Sequence, residues 1–139
     1  MINTNGLDGL GFMSEARVLV IDGNFTYRIA LKQTVLSFGA HQENVGAVRN
    51  LASAREIIQE FNPMIVISDL QLEDGIATDL LRDQNWKAVL ILLCSDSSPE
   101  KIANAKSLGV EQFIYKPCSQ TQIGDALKMV ESKCKWTAH

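Results

Sequence analysis

Apolar residues along this chain fall into short unbroken runs, separated by stretches with helical spacing. Arg17-Val18-Leu19-Val20-Ile21 is the first run, and such a run marks a strand buried on both faces of a parallel sheet. Asp22 ends it. From about Asn24, the residues Tyr27, Leu31, Thr34, Val35 and Phe38 share one helical face, and Gly39 stops that helix. Val45-Gly46-Ala47-Val48 reads as a shorter second strand. Ala54, Ile57, Ile58 and Phe61 form the stripe of a second helix, begun by the capping-box pair Ser53 and Glu56 or earlier by Asn50. Residues 64–67 make a third strand running into Ser68-Asp69. Asp74-Gly75 marks a turn, and residues 76–84 predict a short third helix. Residues 88–93 form a fourth strand ending at Cys94-Ser95. Ser98-Pro99-Glu100 opens a fourth helix that Gly109 closes. Residues 112–115 form a fifth strand ending at Lys116-Pro117. Ser119 and Gln122 cap a fifth helix with Ile123, Ala126, Leu127 and Val130 on its apolar face.

Five strand–helix units with short connections predict an α/β fold: a doubly wound, five-stranded parallel sheet of (βα)5 type with helices on both faces. The domain is expected over residues 16–134. Residues 1–15 have no helical or strand period and read as a flexible leader, and residues 135–139 read as a tail. Gly6, Gly9 and Gly11 precede the first strand, whereas a dinucleotide loop follows one.

Composition narrows the function classes. With 139 residues, 46% apolar and 21% charged, the chain suits one globular domain and not a disordered one. A formal charge of −3 argues against a nonspecific nucleic-acid binder. The longest apolar run, residues 88–94, is too short to cross a bilayer, and the N-terminus lacks signal-peptide character. Cys94, Cys118 and Cys134 are an odd number with no CxxC spacing. That pattern suggests reduced thiols in a cytoplasmic protein, rather than zinc or disulfides.

In a sheet of this type, chemistry sits beyond the carboxyl ends of the strands. There the sequence supplies Asp22, Asp69, Cys94-Ser95 and Lys116. Two acids, a small polar residue and a lysine at one end of one sheet are hard to account for as turn formers.

This constellation resembles the response-regulator receiver domain over about residues 16–134. VLVIDGN (18–24) is similar to that family's first strand and acidic loop. PMIVISDLQLEDG (63–75) resembles its phosphoacceptor strand, and FIYKP (113–117) its last strand with lysine and cis-proline. Arg28, Leu31 and Val35 keep the spacing of its first helix. The resemblance implies a flavodoxin-like, CheY-like fold and a non-enzymatic signalling role. Asp69 would accept a phosphoryl group from a histidine kinase or phosphotransfer protein. Asp22, Asp69 and the carbonyl of Gln71 would hold Mg²⁺. Lys116 would pair with phosphoryl oxygens, Cys94 occupies the Thr/Ser position, and Phe113 matches the switch aromatic. A carboxylate meets an anionic phosphoryl donor only when charge is cancelled, which the metal and the lysine do.

Two departures from the family's pattern weaken the expected site, one at the metal and one at the phosphoryl group. Gly23 stands where the family carries a second acid, and Cys94 offers a weak thiol donor in place of a hydroxyl. Asn24, Glu73 or Asp74 could supply a replacement oxygen. The first expectation is therefore a stand-alone phosphoreceiver acting through protein contacts, with no output domain after residue 134. Its partner or homodimer face would be the fourth helix, fifth strand and fifth helix, including Lys101, Ala105, Leu108 and Phe113. The alternative is a phosphorylation-independent pseudo-receiver serving as an interaction module. A flavodoxin-like redox or nucleotide-binding protein ranks far lower, because Asp22 would repel a flavin phosphate. Nucleic acid and membrane are not expected partners.

Overall fold

The computed structural model describes residues 13–95 and 98–137. Its centre is a five-stranded parallel sheet of β1 (Val18–Ile21), β2 (Val45–Val48), β3 (Ile65–Asp69), β4 (Val89–Cys94) and β5 (Gln112–Tyr115), in spatial order β2-β1-β3-β4-β5. Among the described residues the α-helices that flank it are α1 (Phe25–Ser37), α2 (Leu51–Phe61), α3 (Pro99–Ser107) and α4 (Gln120–Thr137), and residues 13–15 are helical as well. The doubly wound architecture is the one the pattern predicts.

The strands are apolar on both faces because both faces are covered. One core joins Val18, Val20, Ile65, Ile67, Ile91 and Leu93 to Leu31 and Val35 of α1 and Ile123, Leu127 and Val130 of α4. The other joins Leu19, Ile21, Val66, Leu90 and Leu92 to Leu51 and Ala54 of α2 and Ile102 and Ala105 of α3. Alternate residues of each strand thus face opposite layers. Gly124 of α4 lies under the Phe38 ring; a Cβ there would come within 2.4 Å of it. That close approach is what the glycine permits.

Some boundaries differ from the pattern. Helix α2 starts at Asn50, whose side chain accepts from Ser53 N, so the Ser53–Glu56 box is not used. The expected third helix is a 3₁₀ segment, Ala77–Arg82, preceded by a two-residue antiparallel ribbon pairing Gln71 and Leu72 with Ile76 and Gly75. Its buried residues are Ala77, Thr78 and Leu80. Ala77 and Leu80, three apart, lie on the same side of a 3₁₀ turn. Glu73 and Asp74 make the ribbon's turn, and Gly75, at φ 149°, leads out of it into the second strand. At the other end, Ser119 and Gln122 form the expected reciprocal cap, and α4 continues to Thr137, beyond the boundary expected at 134.

The expected leader also ends early. Met13 is buried in the first core, and Ser14 O accepts from Asn44 Nδ2 at 3.4 Å, so residues 13–15 belong to the domain. Residues 1–12 lie outside the described residues. Among the described residues no helix is long and apolar enough to cross a membrane. Cys94 and Cys118 are not in disulfides; the Cys134 side chain lies outside the description.

Candidate functional site

Strand order reverses between β1 and β3, because β2 lies to one side of β1 and β3 to the other. At such a switch point the following loops diverge and leave a crevice. Ile21 is in register with Ser68, so Asp22 and Asp69 leave the sheet side by side. Lys116 follows β5, where its N–H donates to Cys94 O at 2.9 Å, and the Lys116-Pro117 peptide is cis.

Lys116 bridges the two acids. Its Nζ donates to Asp22 Oδ2 and to Asp69 Oδ1, each at 3.0 Å. The Asp22 side chain is fully buried, while Lys116 and Asp69 keep 14% and 16% exposure. Asp22 therefore anchors the cluster and Asp69 faces outward. A buried carboxylate must be paired or hydrogen-bonded; Asn24 N satisfies Asp22 Oδ1 at 2.8 Å. Arg28 Nη1 also donates to the Asp22 backbone carbonyl at 2.7 Å, fixing the turn into α1.

The electrostatics follow from burial. Asp69 sits above the ordinary carboxylate range because burial raises it and the Asp22 charge adds to this, more than the Lys116 hydrogen bond takes back. Burial by itself lowers Lys116, but its hydrogen bonds to Asp69 and Asp22 leave it raised overall. The Cys94 thiol is pushed up by burial and then by the Asp69 charge. It is therefore held as a neutral thiol at neutral pH.

The remaining expected residues fall as follows. Cys94 is buried in the second core at the end of β4, one strand from Asp69, while Ser95 is exposed. Gln71 opens the ribbon directly after Asp69, with an exposed side chain. Phe113 is half-buried against the second core, with Lys106 Nζ 5.7 Å from its ring centre. Ala105 does not lie on an outer face. It is 0% exposed and packs α3 onto the sheet, so it cannot contribute to docking. Among the described residues, the large exposed apolar side chains at the end of α3 and on β5 and α4 are Leu108, Tyr115 and Met129.

The three candidate replacement oxygens are all engaged elsewhere. Asn24 Oδ1 caps α1 by accepting from Tyr27 N at 2.8 Å. Glu73 accepts from Arg49 Nη2 and Asn50 Nδ2. Asp74 accepts from Leu51 N and Ala52 N at the start of α2. Hydrogen bonding holds both carboxyls below their ordinary values, from Asn50 and then Arg49 at Glu73, and from the Leu51 and Ala52 amides at Asp74. Among the described residues no three His, Cys, Asp or Glu side chains gather in a metal-holding group. Asp22, Asp69 and the Gln71 carbonyl are nevertheless hard oxygen donors, the kind that suits Mg²⁺. The set fits that ion in type, and Gly23, next to Asp22, adds no side-chain oxygen to it.

Sequence reasoning missed the floor of the pocket. Lys116 Nζ lies 4.0 Å from the centre of the Tyr27 ring, a cation–π contact. The Tyr27 hydroxyl lies 3.0 Å from Cys118 Sγ and accepts from Cys118 N at 3.3 Å. By pattern Tyr27 is an ordinary core position of the first helix; only its place in the first turn after Asp22 hints at more. A second link, from Lys101 Nζ to Gln71 Oε1 at 2.6 Å, had no local signal at all.

Comparison with known proteins agrees with this geometry. The family model described as response regulator receiver domain matches residues 18–128. A protein-glutamate methylesterase/protein-glutamine glutaminase of Burkholderia thailandensis is 31% identical over 105 residues, covering 73% of this chain and 29% of that protein. The transcriptional regulatory protein CitB of Klebsiella pneumoniae is 29% identical over 87 residues, covering 60% of this chain and 37% of CitB. The chain thus spans about a third of the length of these curated relatives. Among solved structures, the signal receiver domain of a putative Luxo repressor protein from Vibrio parahaemolyticus has a TM-score of 0.78 at 21% identity, covering 88% of this chain and 95% of that one. The chemotaxis response regulator CheY4 of Vibrio cholerae has a TM-score of 0.72 at 20% identity, covering 83% and 98%.

Proposed function

Since the chain belongs to the response regulator receiver domain family, we propose that it receives a phosphoryl group on Asp69 from a phosphohistidine of a kinase or phosphotransfer protein. Membership makes the chain a receiver of two-component phosphorelay signalling; the residue, the metal and the mode of output are what is proposed. One observation carries the reading: Lys116 is held 3.0 Å from both Asp22 and Asp69, with Asp69 facing the crevice between β1 and β3.

The chemistry is a transfer between two nucleophiles. An Asp69 carboxylate oxygen forms a bond to phosphorus as the N–P bond of phosphohistidine breaks. The imidazole leaves with the electron pair, and Asp69 becomes an acyl phosphate. Lys116 offsets the charge that builds as two anions approach, so it acts by electrostatics and positioning. A Mg²⁺ ion held by Asp22, Asp69 and the Gln71 carbonyl would neutralise further charge on the phosphoryl oxygens. The Asp69 pKa is raised by burial, so the nucleophilic carboxylate is depleted as pH falls toward that value. Transfer therefore slows in acid. The role is that of a phosphoacceptor in a cytoplasmic relay and not of a catalyst acting on a separate substrate.

A second reading is favoured by Gly23 and Cys94. With one carboxylate missing and a buried thiol in place of a hydroxyl, phosphorylation has little leverage. The same fold then serves as a phosphorylation-independent interaction or homodimer module. In both readings the docking face is α3, β5 and α4, carrying Leu108, Tyr115 and Met129. Acetyl phosphate labelling at high Mg²⁺ separates them. Label that forms on the wild type and disappears in Asp69→Asn supports the phosphoacceptor. Absence of label from the wild type favours the module, and label persisting in Asp69→Asn refutes the assignment of Asp69.

A further inference from the structure

Gln71 stands two residues after Asp69, and its side chain is fully committed. Nε2 donates to the carbonyls of Leu72 and Gly75, each at 3.2 Å, which closes the two-residue ribbon. Oε1 accepts from Lys101 Nζ at 2.6 Å. Three hydrogen bonds from one side chain fix the backbone that carries the Gln71 carbonyl. Among the described residues, the bond to Lys101 is the side-chain hydrogen bond that ties this loop to α3.

The position of Lys101 is informative. It lies in the first turn of α3, where the helix dipole disfavours a cation. Helix stability therefore gives no reason for a lysine here, whereas the short charge-assisted bond across 30 residues does. Next to it, Ile102 seats α3 on the sheet, followed one turn on by Ala105. A displacement of residue 71 consequently pulls on the helix that bears the docking face.

Resting on the reading of Asp69 above, we propose that Lys101 is a positioning residue: through Gln71 it sets the carbonyl at position 71 for the cation, and it transmits changes in the pocket to α3. Lys101→Met keeps the aliphatic stem and removes the ammonium. Because Lys101 is exposed, the fold should survive.

The test is an NMR titration of the full chain with Mg²⁺ and then beryllofluoride, following pocket amides (Leu70, Cys94) and α3 amides (Ile102, Ala105). In the wild type both sets should shift. In Lys101→Met the pocket set should still shift, with Mg²⁺ affinity weakened about two- to fivefold, and the α3 set should lose most of its response. Lys101→Arg should restore both. Gln71→Leu, which also loses the two Nε2 bonds, should be at least as severe as Lys101→Met, and adding Lys101→Met to it should change nothing further. Full α3 shifts and unchanged Mg²⁺ affinity in Lys101→Met would overturn the inference and leave Asp69 as phosphoacceptor standing. A wild type in which the pocket amides ignore both reagents would overturn the underlying reading and the inference together.

Discussion

Gly23→Asp would add a carboxylate next to Asp22, and the structure has room for it. A Cβ built on Gly23 has Arg49 O as its nearest neighbour, at 3.8 Å, and no positive φ constrains the position. The added carboxylate would follow Asp22 directly at the carboxyl end of β1. A unit charge pair at about 4 Å is worth about 4 kcal/mol at an effective dielectric near 20, and a divalent ion roughly doubles that gross figure. Desolvation of the ion and repulsion among the carboxylates take back most of it. A net gain of about 1.5–4 kcal/mol corresponds to Mg²⁺ binding roughly 10- to 1000-fold tighter. Calorimetric or NMR titration at fixed ionic strength measures it, with Gly23→Asn as the neutral isostere. Without metal the same carboxylate should lift Asp69 further, since the Asp22 charge already raises it. If Gly23→Asp and Gly23→Asn have the same Mg²⁺ affinity as the wild type, the missing charge is not what weakens the site.

Four further outcomes follow from the packing and the charges. Lys116→Met strands the fully buried Asp22 and should destabilise the fold by about 3 kcal/mol, the scale of breaking a buried pair; denaturant unfolding checks this. Lys116 has a raised pKa in the folded state, so its stabilisation is complete below its unfolded value near pH ~10 and is lost as pH climbs through the folded value; the alkaline loss should be absent from Lys116→Met. Gly124→Ala would drive a methyl group into the Phe38 ring and cost about 1–3 kcal/mol, with Phe38→Leu recovering much of it in a thermal melt. Leu108→Glu places a charge on an exposed apolar residue of the docking face; light scattering should show any self-association lost in this variant. Association that persists in Asp69→Asn but not in Leu108→Glu would favour the phosphorylation-independent module.

The architecture was legible because β1, β3 and β4 are buried on both faces and leave unbroken apolar runs, a signal that survives without any tertiary knowledge. Asp22 and Asp69 were legible for a related reason: each ends such a run, while Lys116 ends the shorter fifth strand, and parallel strands bring their carboxyl ends together. Residues 76–84 misled because Ala77, Leu80 and Leu81 satisfy a helical period, while the ribbon that shortens the segment depends on Gly75 and on Gln71 bonding across it. Ala105 misled in the opposite way. An alanine fits a buried or an exposed helix face equally well, and only packing against the sheet decides. Glu73 and Asp74 looked available to a metal because their partners, Arg49, Asn50, Leu51 and Ala52, are more than 20 positions away in sequence. Lys101 was invisible as a partner of Gln71 for the same reason.

The central claim is that Asp69 becomes an acyl phosphate. Incubating the full chain with phosphoramidate, a phosphohistidine-like donor, and Mg²⁺, then trapping with borohydride, reads this directly, because reduction of an aspartyl phosphate leaves homoserine at the modified position. Peptide mass spectrometry should find homoserine at position 69, in an amount that rises in Gly23→Asp and falls in Lys116→Met. Homoserine at another aspartate, or none at 69 even in Gly23→Asp at saturating Mg²⁺, would contradict it.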